Sequence, residues 1–126
     1  MTGAMRLTGQ RILIVEDDGF VAADATAALE NASADVIAAP RIREAIDVAT
    51  HVDLAAALLD INLNGAECTP VCKILDRRKV PFAFCTGYHH SHVMDRWPQA
   101  PVLHKPVTPE DLFDCVAGLA QPLQPA

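Results

Sequence analysis

A chain of 126 residues has the size of one domain, and a domain of that length buries about two-thirds of its unfolded surface. With 10 Lys and Arg against 16 Asp and Glu the formal net charge is −6, and the basic residues are scattered apart from the pairs around Arg41 and Arg77, which argues against direct binding of DNA or RNA. The composition is 51% hydrophobic but only 5% aromatic, which points to a core of Ala, Val, Leu and Ile, as in strands covered by helices on both faces.

No apolar run approaches the roughly 18 residues of a membrane span. The N-terminal MTGAMRLTGQR has no apolar stretch to serve as a signal peptide. Cys68, Cys72, Cys85 and Cys115 form no CxxC pair and fall mostly within apolar patterns, the usage of a reduced, cytoplasmic protein.

In chain order, residues 1–10 read as an N-terminal tail. The apolar run Ile12 to Val15 predicts a first strand buried on both faces, and Phe20 to Asn31, with Val21, Ala25, Ala28 and Leu29 on one side, predicts the first helix. Val36 to Ala39 and Ile42 to Ala49 repeat the pair, followed by Ala55 to Leu59 and Thr69 to Arg78. Thr69-Pro70 places a capping hydroxyl before a proline at the first helical position. Pro81 to Cys85 is the fourth strand, and a short helix near Ser91 to Arg96 is expected in the irregular stretch from Tyr88 to Pro101. Pro101 to Leu103 is the fifth strand. Thr108-Pro109, with Asp111 completing a T-x-x-D capping pattern, begins a last helix over Asp111 to Leu119. The end AQPLQPA carries two prolines and no charge, so one packed domain is expected over 11–120, with a tail over 121–126 and no second domain.

Five alternations of strand and helix imply an α/β fold, a (βα)5 doubly wound five-stranded parallel sheet with right-handed crossovers. In such sheets ligands bind beyond the carboxyl ends of the strands. Four strands deliver polar groups there: Glu16-Asp17-Asp18 after the first, Asp60 after the third, Thr86-Gly87 after the fourth and His104-Lys105-Pro106 after the fifth. The second, ending at Ala39-Pro40, delivers none. Alone, Asp60 would read as a cap or turn residue. In company, Glu16, Asp17 and Asp60 make a candidate divalent-metal site, because crowded carboxylates persist at neutral pH where a cation is bound and oxygen donors suit Mg²⁺. A metal, a lysine and a hydroxyl are equipment for a phosphoryl group. No GxxxxGK[ST], GxGxxG or GxSxG is present, so nucleotide-binding and acyl-transfer readings lack their parts, and Asp60 is the natural nucleophile.

The motifs ILIVEDD, LLDINLNG, FCTGY and HKPV, in this order, resemble the response-regulator receiver domain of two-component signalling over Arg11 to Leu119. The resemblance implies a CheY-like, flavodoxin-like fold and a stand-alone, non-enzymatic phosphoacceptor. It implies that Asp60 takes a phosphoryl group, with Mg²⁺, from a phosphohistidine of a histidine kinase or histidine phosphotransfer protein. The protein then binds a downstream protein or serves as a phosphate sink. Glu16 and Asp17 become the acidic metal pocket, the backbone carbonyl of Asn62 a further ligand, Thr86 the switch hydroxyl and Lys105 the phosphate-pairing lysine. A cis peptide at Pro106 is implied as well.

Two features depart from the usual pattern. Val102 stands where receivers carry a switching Tyr or Phe. PFAFCTGY resembles the Phe-Ala-Thr-Gly-Tyr variant of a subgroup of single-domain receivers, with Cys85 in place of Ala, which makes Gly87 and Tyr88 a switch loop. Rival readings are a pseudo-receiver that is never phosphorylated and a Mg²⁺-dependent aspartyl phosphatase. The intact Glu16, Asp17, Asp60, Thr86 and Lys105 set speaks against the first. The second needs an acid two residues beyond the nucleophile, where Asn62 stands. His89, His90 and His92 suit no familiar zinc spacing, Cys68 and Cys72 lie one helical turn apart, and Trp97 is expected to anchor its segment or mark a partner surface.

Overall fold

The computed structural model describes residues 7–87 and 91–120. The first apolar run forms β1 (Arg11–Val15), followed by α1 (Gly19–Glu30), whose start is fixed by the Asp18 carboxylate accepting the N–H groups of Phe20 and Val21 at 2.9 and 3.1 Å. Next come β2 (Asp35–Ala39), α2 (Ile42–His51) and β3 (Ala56–Leu59). A two-stranded hairpin of β4 (Asn62–Leu63) and β5 (Ala66–Glu67) precedes α3 (Thr69–Arg77). The chain continues through β6 (Phe82–Thr86), α4 (His92–Arg96), β7 (Val102–His104) and α5 (Pro109–Leu119).

The five long strands form one parallel sheet in the order β2-β1-β3-β6-β7. The order reverses between β1 and β3, the switch point at which doubly wound sheets open a crevice. Successive residues of a strand face opposite sides, which splits the core into two layers. Leu13, Val15, Leu59, Phe82 and Phe84 pack beneath α2, α3 and α4, while Ile12, Ile14, Leu58 and Ala83 pack against Leu29 of α1 and Leu112 and Val116 of α5. Each of the Leu, Ile, Val and Phe side chains removed from water stabilises the fold by about 1.5–3 kcal/mol.

The expectation of strands buried on both faces holds for β1, β3 and β6. The edge strands β2 and β7 are only half-buried, because each has a neighbour on one side alone. Helix boundaries also shift. The T-x-x-D pattern behaves as a cap, with the Thr108 hydroxyl accepting the Asp111 N–H at 3.1 Å, but α5 begins two residues earlier, at Pro109. At α3 the N-cap is Cys68, with no side-chain cap bond, so Thr69 is the first helical residue rather than the cap. Leu7, expected in the tail, is buried with Ile12 and Leu29. Trp97 is an anchor: it is buried edge-on against Phe82, ring centroids 6.2 Å apart, with the Arg96 guanidinium 4.9 Å over its own ring. Among the described residues no helix is long and apolar enough to cross a membrane.

Candidate functional site

The sheet brings its polar groups to one edge through ladder bonds that run to the ends of the strands. The Glu16 N–H donates to the Ala39 carbonyl at 3.3 Å, the Asp60 N–H to the Val15 carbonyl at 2.9 Å and the Lys105 N–H to the Thr86 carbonyl at 2.9 Å. Each of these residues therefore leaves a rigid strand with its backbone direction fixed. Glu16 and Asp60 are buried and Asp17 half-buried, and one carboxylate oxygen from each lies within 4.8 Å of the other two. Lys105 reaches in from the end of β7, its Nζ 2.6 Å from Glu16 Oε1 and 3.0 Å from Asp60 Oδ2. The Lys105–Pro106 peptide is cis.

Lys105 pairs with two of the three carboxylates, Glu16 and Asp60, and the protonation tendencies reflect this. Burial pushes the Glu16 carboxyl above its ordinary value, a push that Lys105 and the Asp18 N–H, donated to Oε2 at 3.1 Å, oppose and the charge of Asp60 reinforces. Burial alone would lower the Lys105 ammonium, but its bonds to Glu16 and Asp60 outweigh that and raise it. Lys105 therefore stays charged. An all-oxygen donor set with excess negative charge fits a hard divalent cation such as Mg²⁺.

Thr86 closes β6 at the same edge and is fully buried, with Gly87 following it. Tyr88, His89 and His90 lie outside the described residues. His92 pairs with an acid, its Nε2 lying 3.1 Å from Glu67 Oε2. Asn62 spends its side-chain oxygen on the Gly65 N–H at 2.8 Å, so the place where a phosphatase would hold an acid is occupied by a turn-forming amide. Cys85 lines a cavity of about 20 Å³ with Glu16 and Asp60, and burial pushes its thiol up to about 11. Cys68 and Cys72 are fully buried free thiols with Sγ atoms 3.7 Å apart.

One contributor escaped sequence reasoning. The Asn64 N–H donates to Asp17 Oδ2 at 3.0 Å, tying the β4–β5 hairpin to the acidic pocket. Asn64-Gly65, a favoured two-residue hairpin turn, signals the turn but not the carboxylate it reaches.

No family model matches the sequence, and no curated protein does. Solved structures do. A CheY-like response regulator receiver domain protein from Methanospirillum hungatei JF-1 has a TM-score of 0.81 at 27% identity, covering 88% of this chain and 93% of that one. SdrG from Sphingomonas melonis Fr1 is 33% identical with a TM-score of 0.77, covering 94% and 98%. The non-phosphorylated HemR receiver domain from Leptospira biflexa shares the fold at a TM-score of 0.79 and 23% identity over 93% and 98%. With its strand order and its acids at the carboxyl edge, the chain belongs to the CheY-like response-regulator receiver domains.

Proposed function

We propose that Asp60 accepts a phosphoryl group from the phosphohistidine of a histidine kinase or histidine phosphotransfer protein, in a Mg²⁺-dependent step carried by residues 11–120. The observation that carries this reading is the Lys105 ammonium, 3.0 Å from Asp60 Oδ2 and 2.6 Å from Glu16 Oε1, at the mouth of a three-carboxylate cluster. An Asp60 oxygen attacks phosphorus, a P–O bond forms and the P–N bond to the imidazole breaks. The imidazole leaves with that electron pair and takes up a proton. Lys105 then pairs with one transferred oxygen and the Thr86 hydroxyl donates to another.

Asp17, Asp60, Glu16 and the backbone carbonyl of Asn62 would hold the cation. Bound Mg²⁺ supplies neutralisation of the phosphoryl oxygens. The protein acts as a phosphoacceptor rather than an enzyme, and Gly87 and Tyr88 form the switch loop that reports to a downstream protein, unless the domain serves as a phosphate sink. The test is labelling with acetyl phosphate and Mg²⁺, followed by intact mass. The parent is expected to gain a phosphate adduct that chelation of Mg²⁺ abolishes and Asp60→Asn lacks. An adduct of equal yield on Asp60→Asn would overturn the reading.

A further inference from the structure

The turn between β4 and β5 makes a contact that phosphoryl transfer by itself does not require. Asn64 and Gly65 have φ angles of 52° and 89°, the two successive positive values of a type I′ turn. Asn62 Oδ1 accepts the Gly65 N–H at 2.8 Å and closes the turn from one side. The Asn64 N–H leaves the turn for another element and donates to Asp17 Oδ2 at 3.0 Å. The hairpin is held in place by the buried Leu63 and by Glu67, which lies 3.1 Å from His92 of α4. The Asn64 N–H is therefore a fixed donor.

A donor on one carboxylate oxygen sets the rotation of the whole group and leaves the other oxygen for a cation. The acids differ in what sets them. Glu16 has Oε1 engaged by Lys105 at 2.6 Å and Oε2 by the Asp18 N–H at 3.1 Å, and Asp60 Oδ2 is engaged by Lys105 at 3.0 Å. Asp17 takes its bond from the hairpin. We propose that the Asn64–Gly65 turn is a positioning element for the divalent cation, holding Asp17 so that Oδ1 is presented as the ligand. This rests on the metal reading above and adds to it the residues that aim one carboxylate.

Gly65 isolates the effect. A Cβ added there would meet nothing within 4 Å, so replacing Gly65 tests only the backbone conformation at φ +89°. Asn adopts positive φ readily, Ala with strain, and a β-branched Val least of all. The experiment is a Mg²⁺ titration of the full chain by calorimetry, alongside melting curves without Mg²⁺, for the parent, Gly65→Asn, Gly65→Ala and Gly65→Val. Gly65→Asn is expected to keep the parent's affinity and Gly65→Val to lose about tenfold or more, the scale seen when a metal ligand loses its outer hydrogen bond, with Gly65→Ala between. Should Gly65→Val not fold, Gly65→Ala against Gly65→Asn carries the comparison. A role confined to folding would lower only the Mg²⁺-free melting temperature, and equal Mg²⁺ affinity across the folded variants would overturn the proposal while leaving the metal reading intact. A parent that binds no Mg²⁺ would overturn the metal reading, and this proposal with it.

Discussion

Lys105 is the residue on which the pocket's balance turns. It bridges two carboxylates that are themselves buried, so removing it leaves both without their cation rather than deleting one contact. Lys105→Met is expected to cost about 1–3 kcal/mol in urea denaturation without Mg²⁺, the range for a buried polar group left without its partner. Adding Asp60→Asn to that variant removes one of the stranded charges and is expected to recover part of the loss. Strict additivity of the two substitutions would show that the bridge carries no coupling. The acids and the lysine were legible because each follows an apolar run, and a run of that kind fixes where a strand ends. The Asn64 N–H was not, since a backbone donor has no side-chain signature and its partner, Asp17, lies 47 residues away.

Between elements, the clearest tie away from the pocket is Arg78. Its guanidinium follows α3 and donates to the carbonyls of Ala49 and Val52 at 2.7 and 2.8 Å, satisfying the open end of α2, with Asp53 Oδ1 at 3.3 Å. Arg78→Ala is expected to lower stability by about 1–3 kcal/mol, as for lost charge-assisted bonds, while leaving phosphorylation of Asp60 unchanged. A variant as stable as the parent would show that water caps α2 equally well. Among the described residues the five strands of the main sheet and the helices α1, α2, α3 and α5 were legible from alternating patterns, because each needs only local periodicity. The β4–β5 hairpin was passed over as a loop because two-residue strands are too short to show a period. The start of α3 was misplaced by one residue because Thr69-Pro70 meets the statistics of a cap while Cys68 takes the position. The segment around Trp97 resisted any period, and the structure shows why: Val93 and Trp97 hold it by insertion into the core rather than by a repeating face.

Taken as one body, the protein gathers negative charge at one edge of its sheet while already carrying a net charge of −6. Repulsion among those acids opposes folding, and a cation that binds only the folded form adds RT ln(1 + [L]/Kd), about 2.7 kcal/mol at a hundredfold excess over Kd. The melting temperature is expected to climb steeply with Mg²⁺ and more gently with NaCl, which only screens. Equal gains from the two salts at matched ionic strength would mean that no specific cation site exists. The Asn64–Gly65 turn also bears on the chemical ageing of the chain. Asparagine followed by glycine deamidates when the glycine nitrogen closes on the asparagine side chain, and here that nitrogen is engaged by Asn62 Oδ1 at 2.8 Å. The bond that shapes the turn therefore also guards the peptide backbone against rearrangement to isoaspartate, which would lengthen the chain by one atom at the point where it reaches Asp17.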